Sequence, residues 1–463
     1  MGSISVSPTT QTTLQTALNQ ALTSYTTTHP LSKKSHDEAC QYMPGGNTRT
    51  VLHTTPFPLT ISSARSCHLT TIDAHTYVDF LGEYTAGIYG HSHPSIRAAI
   101  ETAMNRGWNY GAHSAIEQTL AKSICTRFPT IQKVRFVNSG TEANMMALAT
   151  ALAVAHDTPS KTKILIFEKA YHGSTISGKP TSPSKPTINL PHDFILAKYN
   201  DIEGTNHLIS SLPPNSLAAI LVEPMLGSGG CYPATPSFLS TLRHLANEQN
   251  ALLIFDEVMT SRLSYHGLAH TYNITPDLTT LGKYLGGGMS FGAFGGRDEI
   301  MSLFDPRTGT LDHPGTFNNN VFSMHAGVAG SQILTVEVLD ELNERGDRMR
   351  SAIEDVLRAH KLYEGCTVPD APLTDDSVHR IDNPNHPPKM FVKGVGSLMC
   401  VHFAGPEREM LGGLFWHHML DSGIYLAQRG FVALSIEIGE EEVRRFVGAV
   451  EGFVGVWEGV LRW

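Results

Sequence analysis

Cysteine is scarce in this sequence, and the few cysteines show no pairing pattern. Six are scattered over 463 residues, with no C-x-x-C pair and no histidine spacing of the zinc type. They are Cys40, Cys67, Cys125, Cys231, Cys366 and Cys400. A disulfide framework and a bound metal are therefore not predicted, and free thiols in a reducing, cytoplasmic setting are expected.

Long apolar runs, blocks of basic residues and a targeting segment are also missing. No stretch approaches the roughly 18 consecutive apolar residues that span a bilayer. The net charge is −9, and no Lys/Arg-rich block could neutralise a run of nucleic-acid phosphates. The first thirty residues are rich in Ser and Thr but have no Lys, Arg or apolar core. A membrane anchor, a nucleic-acid partner and a secreted or mitochondrial destination are therefore not expected.

The sequence does contain enough apolar residues to form a large core, since hydrophobic residues make up 41% of the chain. Short β-rich runs alternate with helical stretches between about residues 134 and 296, a pattern typical of an α/β domain with a mostly parallel sheet. The candidate strands are KVRFVNS, KILIFEK, LAAILVEP, ALLIFDEV and FGAFGG, and the candidate helices include TEANMMALATALAVAH and PSFLSTLRHLANEQN. Ligands of such sheets bind beyond the carboxyl ends of the strands.

Three segments are predicted along the chain. Segment 1–95 has a polar helix, a Pro/Gly turn (MPGGNTRT) and short strands around PFPLTIS and YVDFLG. Segment 96–334 holds the large α/β domain. Segment 335–463 starts with an amphipathic helix, continues through a loop-like stretch at 367–388, and has strand-like runs SLMCVHF and FVALSIEI around a helix. We expect the first and last segments to form a small α/β domain together.

An aspartate and a lysine stand where a charge is costly without a partner. ALLIFDEVMTSR puts Asp256 at the carboxyl end of a buried strand, and DLTTLGKYLGGG puts Lys283 beside a Gly-rich turn. A pyridoxal-phosphate (PLP) ring meets both needs, because the carboxylate keeps its pyridine nitrogen protonated and the lysine holds its aldehyde carbon as a Schiff base. The ring is then an electron sink and Lys283 moves the proton, which is transamination chemistry. Taken singly, such residues are more often a surface lysine and a helix-capping aspartate.

The run FVNSGTEANMMAL predicts a strand, a turn of small residues and a helix. Ser139, Gly140 and Thr141 would lie at the helix N-terminus with free backbone N–H groups, which is a phosphate site. The alternative is a capping box, with Ser139 or Thr141 as the cap and Glu142 in the first turn. The two interpretations are compatible, because an anion can share such a terminus.

Three further motifs offer groups to the same ligand. EKAYHGST places Tyr171 where its ring could stack on the pyridine face, with His172 beside it; a core aromatic is the alternative. VEPM puts Glu223 at a strand end, where it could hold neighbouring side chains or form a paired structural carboxylate. HPGTFNNN offers Thr316 as a phosphate donor, with an asparagine turn as the competing interpretation.

The combined motifs resemble a known family. NSGTEAN, AYHG, VEP, FDEVMTSR, TTLGKYLGGG and GTFNNN occur in the order seen in class-III aminotransferases of PLP fold type I, over nearly the whole chain. Within that class the sequence is most similar to the branch of glutamate-1-semialdehyde aminomutases and aromatic β-amino acid aminotransferases. The narrower likeness rests on YMPGGNTRTVL, PFPLTI, EYTAGIYGHSHP, DEVMTSRLSYHGLA, GKYLGGGMSFGAFGGR and QRGFVALS. The resemblance implies a mostly parallel, seven-stranded sheet in the large domain.

The resemblance also implies a homodimer with shared active sites, in which Thr316 reaches the cofactor phosphate of the neighbouring subunit. Tyr171 and Val258 are expected on opposite faces of the ring. Arg49 is expected to grip a substrate carboxylate by a bidentate pair; an exposed turn arginine is the alternative. Further residues expected in the substrate cavity are Glu83, Tyr84 and Arg429.

The predicted reaction is ping-pong transfer of the amino group of a β-amino acid, aromatic like β-phenylalanine, to 2-oxoglutarate or pyruvate. One alternative is the intramolecular amino shift of a glutamate-1-semialdehyde aminomutase. Another is a non-catalytic PLP-binding protein, against which the intact Lys283 and Asp256 argue. Two features depart from the family: Leu226 stands where many relatives have Gln, and the 367–388 stretch is longer than in the bacterial β-amino acid enzymes.

Overall fold

The structure, a computed structural model, describes residues 8–178, 188–372 and 386–463, with side chains from residue 12 onward. Its N-terminal part has two helices and a small antiparallel ladder. The elements are α1 (Pro8–Thr28), α2 (Pro30–Ala39), β1 (Ile61–Arg65), β2 (His68–Thr71) and β3 (Thr76–Asp79). PFPLTIS forms a strand only from Ile61, because its prolines lack the N–H donors that a ladder needs.

The large domain alternates helices with strands, as the sequence predicts. Its elements are α3 (Pro94–Arg106), α4 (Ala115–Arg127), β4 (Lys133–Val137), α5 (Gly140–Val154), β5 (Lys163–Phe167), β6 (Asp193–Ala197), α6 (Ile202–Ser210), β7 (Leu217–Val222), β8 (Met225–Leu226), β9 (Tyr232–Pro233), α7 (Pro236–Glu248), β10 (Leu252–Asp256), α8 (Gly267–Thr271), β11 (Leu278–Gly282), β12 (Gly292–Gly296), α9 (Asp298–Met301) and α10 (Val321–Ile333).

Seven of these strands form one sheet in the order β4-β12-β11-β10-β7-β5-β6. The pairs from β11 to β6 are parallel, whereas β12 runs antiparallel to both of its neighbours. The mostly parallel, seven-stranded α/β sheet is therefore confirmed, as are the five candidate strands. The sequence interpretation missed β6 and β11, although both are in the sheet.

The C-terminal part forms a second, smaller layer. Its elements are α11 (Val336–Ala359), β13 (Met390–Val395), β14 (Leu398–Phe403), α12 (Arg408–Asp421), β15 (Ile424–Tyr425), β16 (Phe431–Ala433) and α13 (Glu440–Leu461). β13, β14 and β16 form an antiparallel sheet, and β15 pairs with β3 of the N-terminal ladder. The two ends of the chain therefore share one sheet, while the boundaries 1–95, 96–334 and 335–463 stay a prediction. Most of the 367–388 stretch lies outside the described residues.

The two strands at the centre of the large sheet, β7 and β10, are buried at every position. Their sequences, LAAILV and LLIFD, are the continuous apolar runs that a sheet covered on both faces requires. Glu223 directly follows β7 and Asp256 ends β10, so both carboxylates are buried at the same edge of the sheet.

The described residues contain no disulfide and no cluster of side chains suited to a metal ion. All six cysteines, which lie within the described ranges, are free thiols. No group of three or more His, Cys, Asp or Glu side chains in these ranges is placed to hold a metal ion. No described helix combines the length and apolar character that crossing a bilayer requires.

Candidate active site

Asp256 is buried, with 4% of its surface exposed, and its carboxylate is held from three directions. Asn144 Nδ2 and His172 Nδ1 donate to Oδ2 at 2.7 and 2.8 Å, and the backbone N–H of Val258 donates to Oδ1 at 3.0 Å. Because a carboxylate only accepts, the hydrogen of His172 is on Nδ1. Oδ1 keeps the capacity for a further donor, such as the N–H of a protonated pyridine.

The sequence interpretation placed His172 at this edge but missed Asn144. The Asn144 amide also donates to the His172 carbonyl at 3.0 Å, and its Oδ1 accepts from Thr280 Oγ1 at 2.7 Å. One asparagine on α5 thus joins β11, the loop after β5 and the carboxylate that ends β10. The signal available in the sequence was a polar amide within the Ala- and Met-rich run TEANMMALATAL. The structure buries this amide fully, and buried polar groups need partners.

Lys283 follows β11 directly and has a left-handed backbone conformation, with φ of +53°. Burial lowers the pKa of its amine, and the negative charge of Asp256 offsets only part of this shift. Among the described residues no hydrogen bond or ion pair of the structure involves this amine. A buried amine whose pKa is lowered is a better nucleophile towards an aldehyde than an exposed lysine, so Lys283 fits the attachment point of the cofactor.

The N-terminus of α5 lies beside Lys283. A Cβ placed on Gly282 would lie 3.2 Å from Val258 Cγ1 and 3.5 Å from Gly140 Cα, so this turn, Val258 and the lysine meet at one point. Ser139 is also the helix cap, because its Oγ accepts from the Glu142 N–H at 3.2 Å. The capping alternative is therefore present together with a helix N-terminus that faces the candidate site.

Thr141 contacts the segment after β5 at a position that only glycine allows. Gly173 has φ of +120°, and a Cβ there would overlap the Thr141 side chain. The same segment carries Tyr171, whose side chain is 47% exposed. The core-aromatic alternative for Tyr171 is therefore wrong, and an open ring face is available to a ligand.

Glu223 binds backbone rather than side chains. Its two oxygens accept from the N–H groups of Tyr171 and Gly227, each at 2.9 Å. Burial raises the pKa of Glu223 to about 7, with His172 opposing the shift and Asp256 adding to it. The neighbouring Leu226 is fully buried in an apolar cluster, and its side chain offers no polar contact.

Thr316 is exposed and lines a groove with residues 109–114 and Phe317. Its loop meets the α5 turn through Asn318 Oδ1, which accepts from Asn138 Nδ2 at 3.1 Å. Among the described residues no hydrogen bond joins Thr316 itself to residues 139–141.

The four predicted substrate residues do come together. Arg49 Nη1 pairs with Glu83 Oε1, and the Arg49 guanidinium lies 5.6 Å from the centre of the Tyr84 ring. The Arg429 guanidinium lies 5.4 Å from the same centre and donates to Ser228 Oγ at 3.2 Å. The charges of Arg49 and Glu83 both act on the Lys283 amine, so this cluster borders the lysine.

These residues fit a PLP ring: a carboxylate with spare acceptor capacity, a buried amine, a helix N-terminus for the phosphate and an open aromatic face. Comparisons with known proteins agree with this arrangement. The family model "Aminotransferase class-III" matches residues 51–365. A β-phenylalanine transaminase of Variovorax paradoxus is 44% identical, with 96% of this chain and 98% of that protein covered.

Two further matches extend the likeness. A glutamate-1-semialdehyde 2,1-aminomutase of Methanosarcina acetivorans is 31% identical, with 90% of this chain and 97% of that protein covered. The solved structure of a β-phenylalanine aminotransferase from Variovorax paradoxus superposes with a TM-score of 0.87 at 41% identity, covering 97% of this chain and 99% of that one. The chain therefore belongs to the class-III aminotransferases, PLP-dependent transaminases of fold type I.

Proposed function

We propose that this transaminase moves the amino group of a β-amino acid with an aromatic side group to 2-oxoglutarate or pyruvate, in a ping-pong mechanism. The observation that carries the proposal is the pair of guanidinium groups, Arg49 and Arg429, that flank Tyr84 beside Lys283. A guanidinium grips a carboxylate through paired hydrogen bonds, and both the donor and the acceptor carry one. The name of the 44% identical relative specifies the same class of donor.

The apolar wall of the same cluster supports an aromatic side group. Tyr84 stacks on Phe431, with ring centroids 6.0 Å apart, and Leu52 and Met259 pack against the same group of buried residues. An aromatic ring that enters such a wall is removed from water, which contributes about 25 cal/mol for each Å² of apolar surface buried. The carboxylate of the donor would meanwhile face Arg49.

The chemical step is assigned to Lys283. Its amine would take the proton from the amine-bearing carbon of the donor and hold it for return, a role that its burial-lowered pKa favours. Bound PLP supplies the electron sink for this proton transfer. Asp256, held by Asn144 and His172, would keep the pyridine nitrogen protonated through a charge-assisted hydrogen bond.

The remaining assignments concern the binding of the cofactor. Backbone N–H groups of residues 139–141, at the N-terminus of α5, would bind the phosphate. Tyr171 and Val258 would cover the two faces of the ring, and Glu223 would keep Tyr171 in place through its backbone N–H. None of these roles requires a metal.

We further propose a homodimer in the cytoplasm. Tyr110 and Phe317 are 41% and 56% exposed and line the same groove as Thr316, so a second chain that covers them would bury apolar surface. The same contact would bring Thr316 to the partner's phosphate site. A reducing compartment is supported by the six free thiols of the described residues.

The direct test is a donor and acceptor assay with purified holoenzyme. Racemic 3-amino-3-phenylpropanoate and 2-oxoglutarate should yield glutamate, whereas α-phenylalanine in place of the donor should yield far less. Lys283→Ala should abolish glutamate formation and the visible absorbance of the attached cofactor, and Lys122→Ala, at an exposed lysine of α4, should change neither. Absence of glutamate across a panel of β-amino acids would refute the proposed donor class.

An intramolecular amino shift is the second candidate, favoured by the 31% identity to an aminomutase. Such an enzyme converts its substrate without any added oxo acid. Glutamate 1-semialdehyde should therefore be offered with and without 2-oxoglutarate. Conversion that does not depend on the acceptor would support the mutase, and strict dependence on the acceptor would exclude it.

A further inference from the structure

Arg49 is already paired with a carboxylate of its own chain. Its Nη1 contacts Glu83 Oε1, and the two side chains remain 43% and 54% exposed. Solvent and small molecules can therefore reach the pair. A substrate carboxylate that binds bidentately to the edge formed by Nη1 and Nη2 of the guanidinium must compete with Glu83 for Nη1.

The backbone that presents Glu83 is unusual and well supported. Residues 82–85 all have positive φ, at +52°, +47°, +51° and +84°. Non-glycine residues seldom adopt this conformation, and successive ones persist only where the surroundings hold them. Asp79 Oδ1 accepts from the Leu81 and Gly82 N–H groups at 2.8 and 3.1 Å, and Tyr84 Oη donates to the Val51 carbonyl at 3.0 Å.

The second guanidinium of the cluster offers a contrast. Arg429 is the other arginine that contacts the Tyr84 ring. Its side-chain hydrogen-bond partner among the described residues is a hydroxyl, Ser228 Oγ at 3.2 Å. No carboxylate of the described residues pairs with it. Of the two arginines, only Arg49 is therefore neutralised before a substrate arrives.

We propose that Glu83 is a displaceable internal carboxylate, which occupies Arg49 in the free enzyme and must leave it when a substrate carboxylate binds. The inference rests on the proposed role of Arg49 as the carboxylate-binding group. Glu83 then lowers the affinity for every carboxylate ligand of this position and speeds product release. It leaves amines without a carboxylate unaffected, so it determines specificity.

The test measures binding rather than turnover. The probe is 3-phenylpropanoate, the carboxylate of the proposed donor without its amine, titrated into holoenzyme by calorimetry. Glu83→Gln keeps the size of the side chain but removes its charge. An exposed ion pair contributes about 0.2–1 kcal/mol, so this variant should bind the probe about 1.4- to 5-fold more tightly.

A second variant separates displacement from a general effect of charge. Glu83→Asp keeps the negative charge but shortens the arm by one methylene, and Asp tolerates positive φ better than Glu. It should also bind the probe more tightly than the wild type, because the shortened arm no longer reaches Arg49. Arg49→Gln should bind the probe more weakly, and all variants should keep the cofactor absorbance and melting temperature of the wild type.

Each outcome decides the matter. Tighter binding by both Glu83 variants, with weaker binding by Arg49→Gln, supports the proposal. Unchanged or weaker binding of the probe by Glu83→Gln overturns it. The proposal is also overturned if Glu83→Gln binds the probe more tightly but Glu83→Asp binds it like the wild type, since the charge of residue 83 alone would then act. Unchanged binding by Arg49→Gln would instead refute the role of Arg49 in the proposed function.

Discussion

Asn144 Nδ2 lies 2.7 Å from Asp256 Oδ2, and the same amide group donates to the carbonyl of His172 at 3.0 Å. Asn144 thus fixes both the Asp256 carboxylate and His172, which also donates to that carboxylate. Its position follows from the fold, because α5 packs on the strands that carry these groups. The last residue of the NSGTEAN motif, to which the sequence interpretation gave no role, therefore orients the residue that faces the pyridine nitrogen in the proposed mechanism.

Replacement of Asn144 by Leu should weaken the hold on the cofactor. A hydrogen bond to a charged group contributes about 1.5–3 kcal/mol, so the affinity for PLP and kcat/KM should fall roughly 10- to 100-fold. Titration of the apoenzyme with PLP, followed by visible absorbance, measures the first quantity. Retention of wild-type affinity would show that Asp256 needs no support from Asn144.

Asn343→Leu is a matched control. Asn343 is also buried, donates to the Arg262 carbonyl at 3.0 Å and accepts from the Ser397 N–H at 2.9 Å. Its loss should lower the melting temperature and leave the affinity for PLP unchanged. A similar loss of affinity in both variants would mean that general destabilisation explains the effect at Asn144.

Much of this site was predictable, because its residues follow strands that apolar runs mark clearly. Lys283, Asp256 and residues 139–141 stand at strand or helix ends, where local sequence and the α/β pattern suffice. Asn144 was not predictable in its role, since its partners are distant in sequence and meet only when the sheet forms.

Other missed features depend on the tertiary structure in the same way. β11 reads as LTTLG, and its two threonines suggest a polar turn until burial between β10 and β12 makes them strand residues. The left-handed turn at 82–85 contains Glu83, Tyr84 and Thr85, none of which favours positive φ. Contacts from Asp79 and Val51 impose that conformation, and no local pattern announces it.

Glu223 should give the apoenzyme a characteristic pH dependence of stability. Burial raises the pKa of this carboxyl from 4.5 to about 7, so the folded chain keeps the proton when the unfolded chain releases it. Between these two values the unfolded state binds fewer protons, and the free energy of unfolding therefore falls as pH rises. Above about pH 7 both states are deprotonated and this contribution stays constant.

Glu223→Gln removes that contribution. Urea unfolding at pH 5, 6, 7 and 8 should show that the free energy of unfolding of the wild type falls, relative to that of the variant, as pH rises towards about 7. Glu203→Gln, at an exposed glutamate of α6, should follow the wild-type profile. Parallel profiles for the wild type and Glu223→Gln would contradict the raised pKa.

Tyr171 should act through its ring and not through its hydroxyl. Its backbone N–H is bound by Glu223, so substitutions of the side chain leave that contact in place. Stacking of aromatic rings contributes about 0.5–1.5 kcal/mol, so Tyr171→Ala should bind PLP roughly 3- to 10-fold more weakly. Tyr171→Phe should bind PLP like the wild type. Equal losses in both variants would point to the hydroxyl, and no loss in either would remove Tyr171 from the cofactor site.

Thr316 should serve the partner's site, which mixed dimers can reveal. Thr316→Val keeps the shape but removes the hydroxyl, and loss of a hydrogen bond to a charged phosphate should weaken PLP binding by about 10-fold or more. Co-expression of differently tagged Thr316→Val and Lys283→Ala chains gives a dimer in which one site has an intact Lys283 and the threonine of the other chain. Because both groups are then present, turnover at limiting PLP should exceed that of the Thr316→Val homodimer. If Thr316 acted within its own chain, the only site with a lysine would lack the hydroxyl, and turnover per intact lysine would stay at the level of the Thr316→Val homodimer.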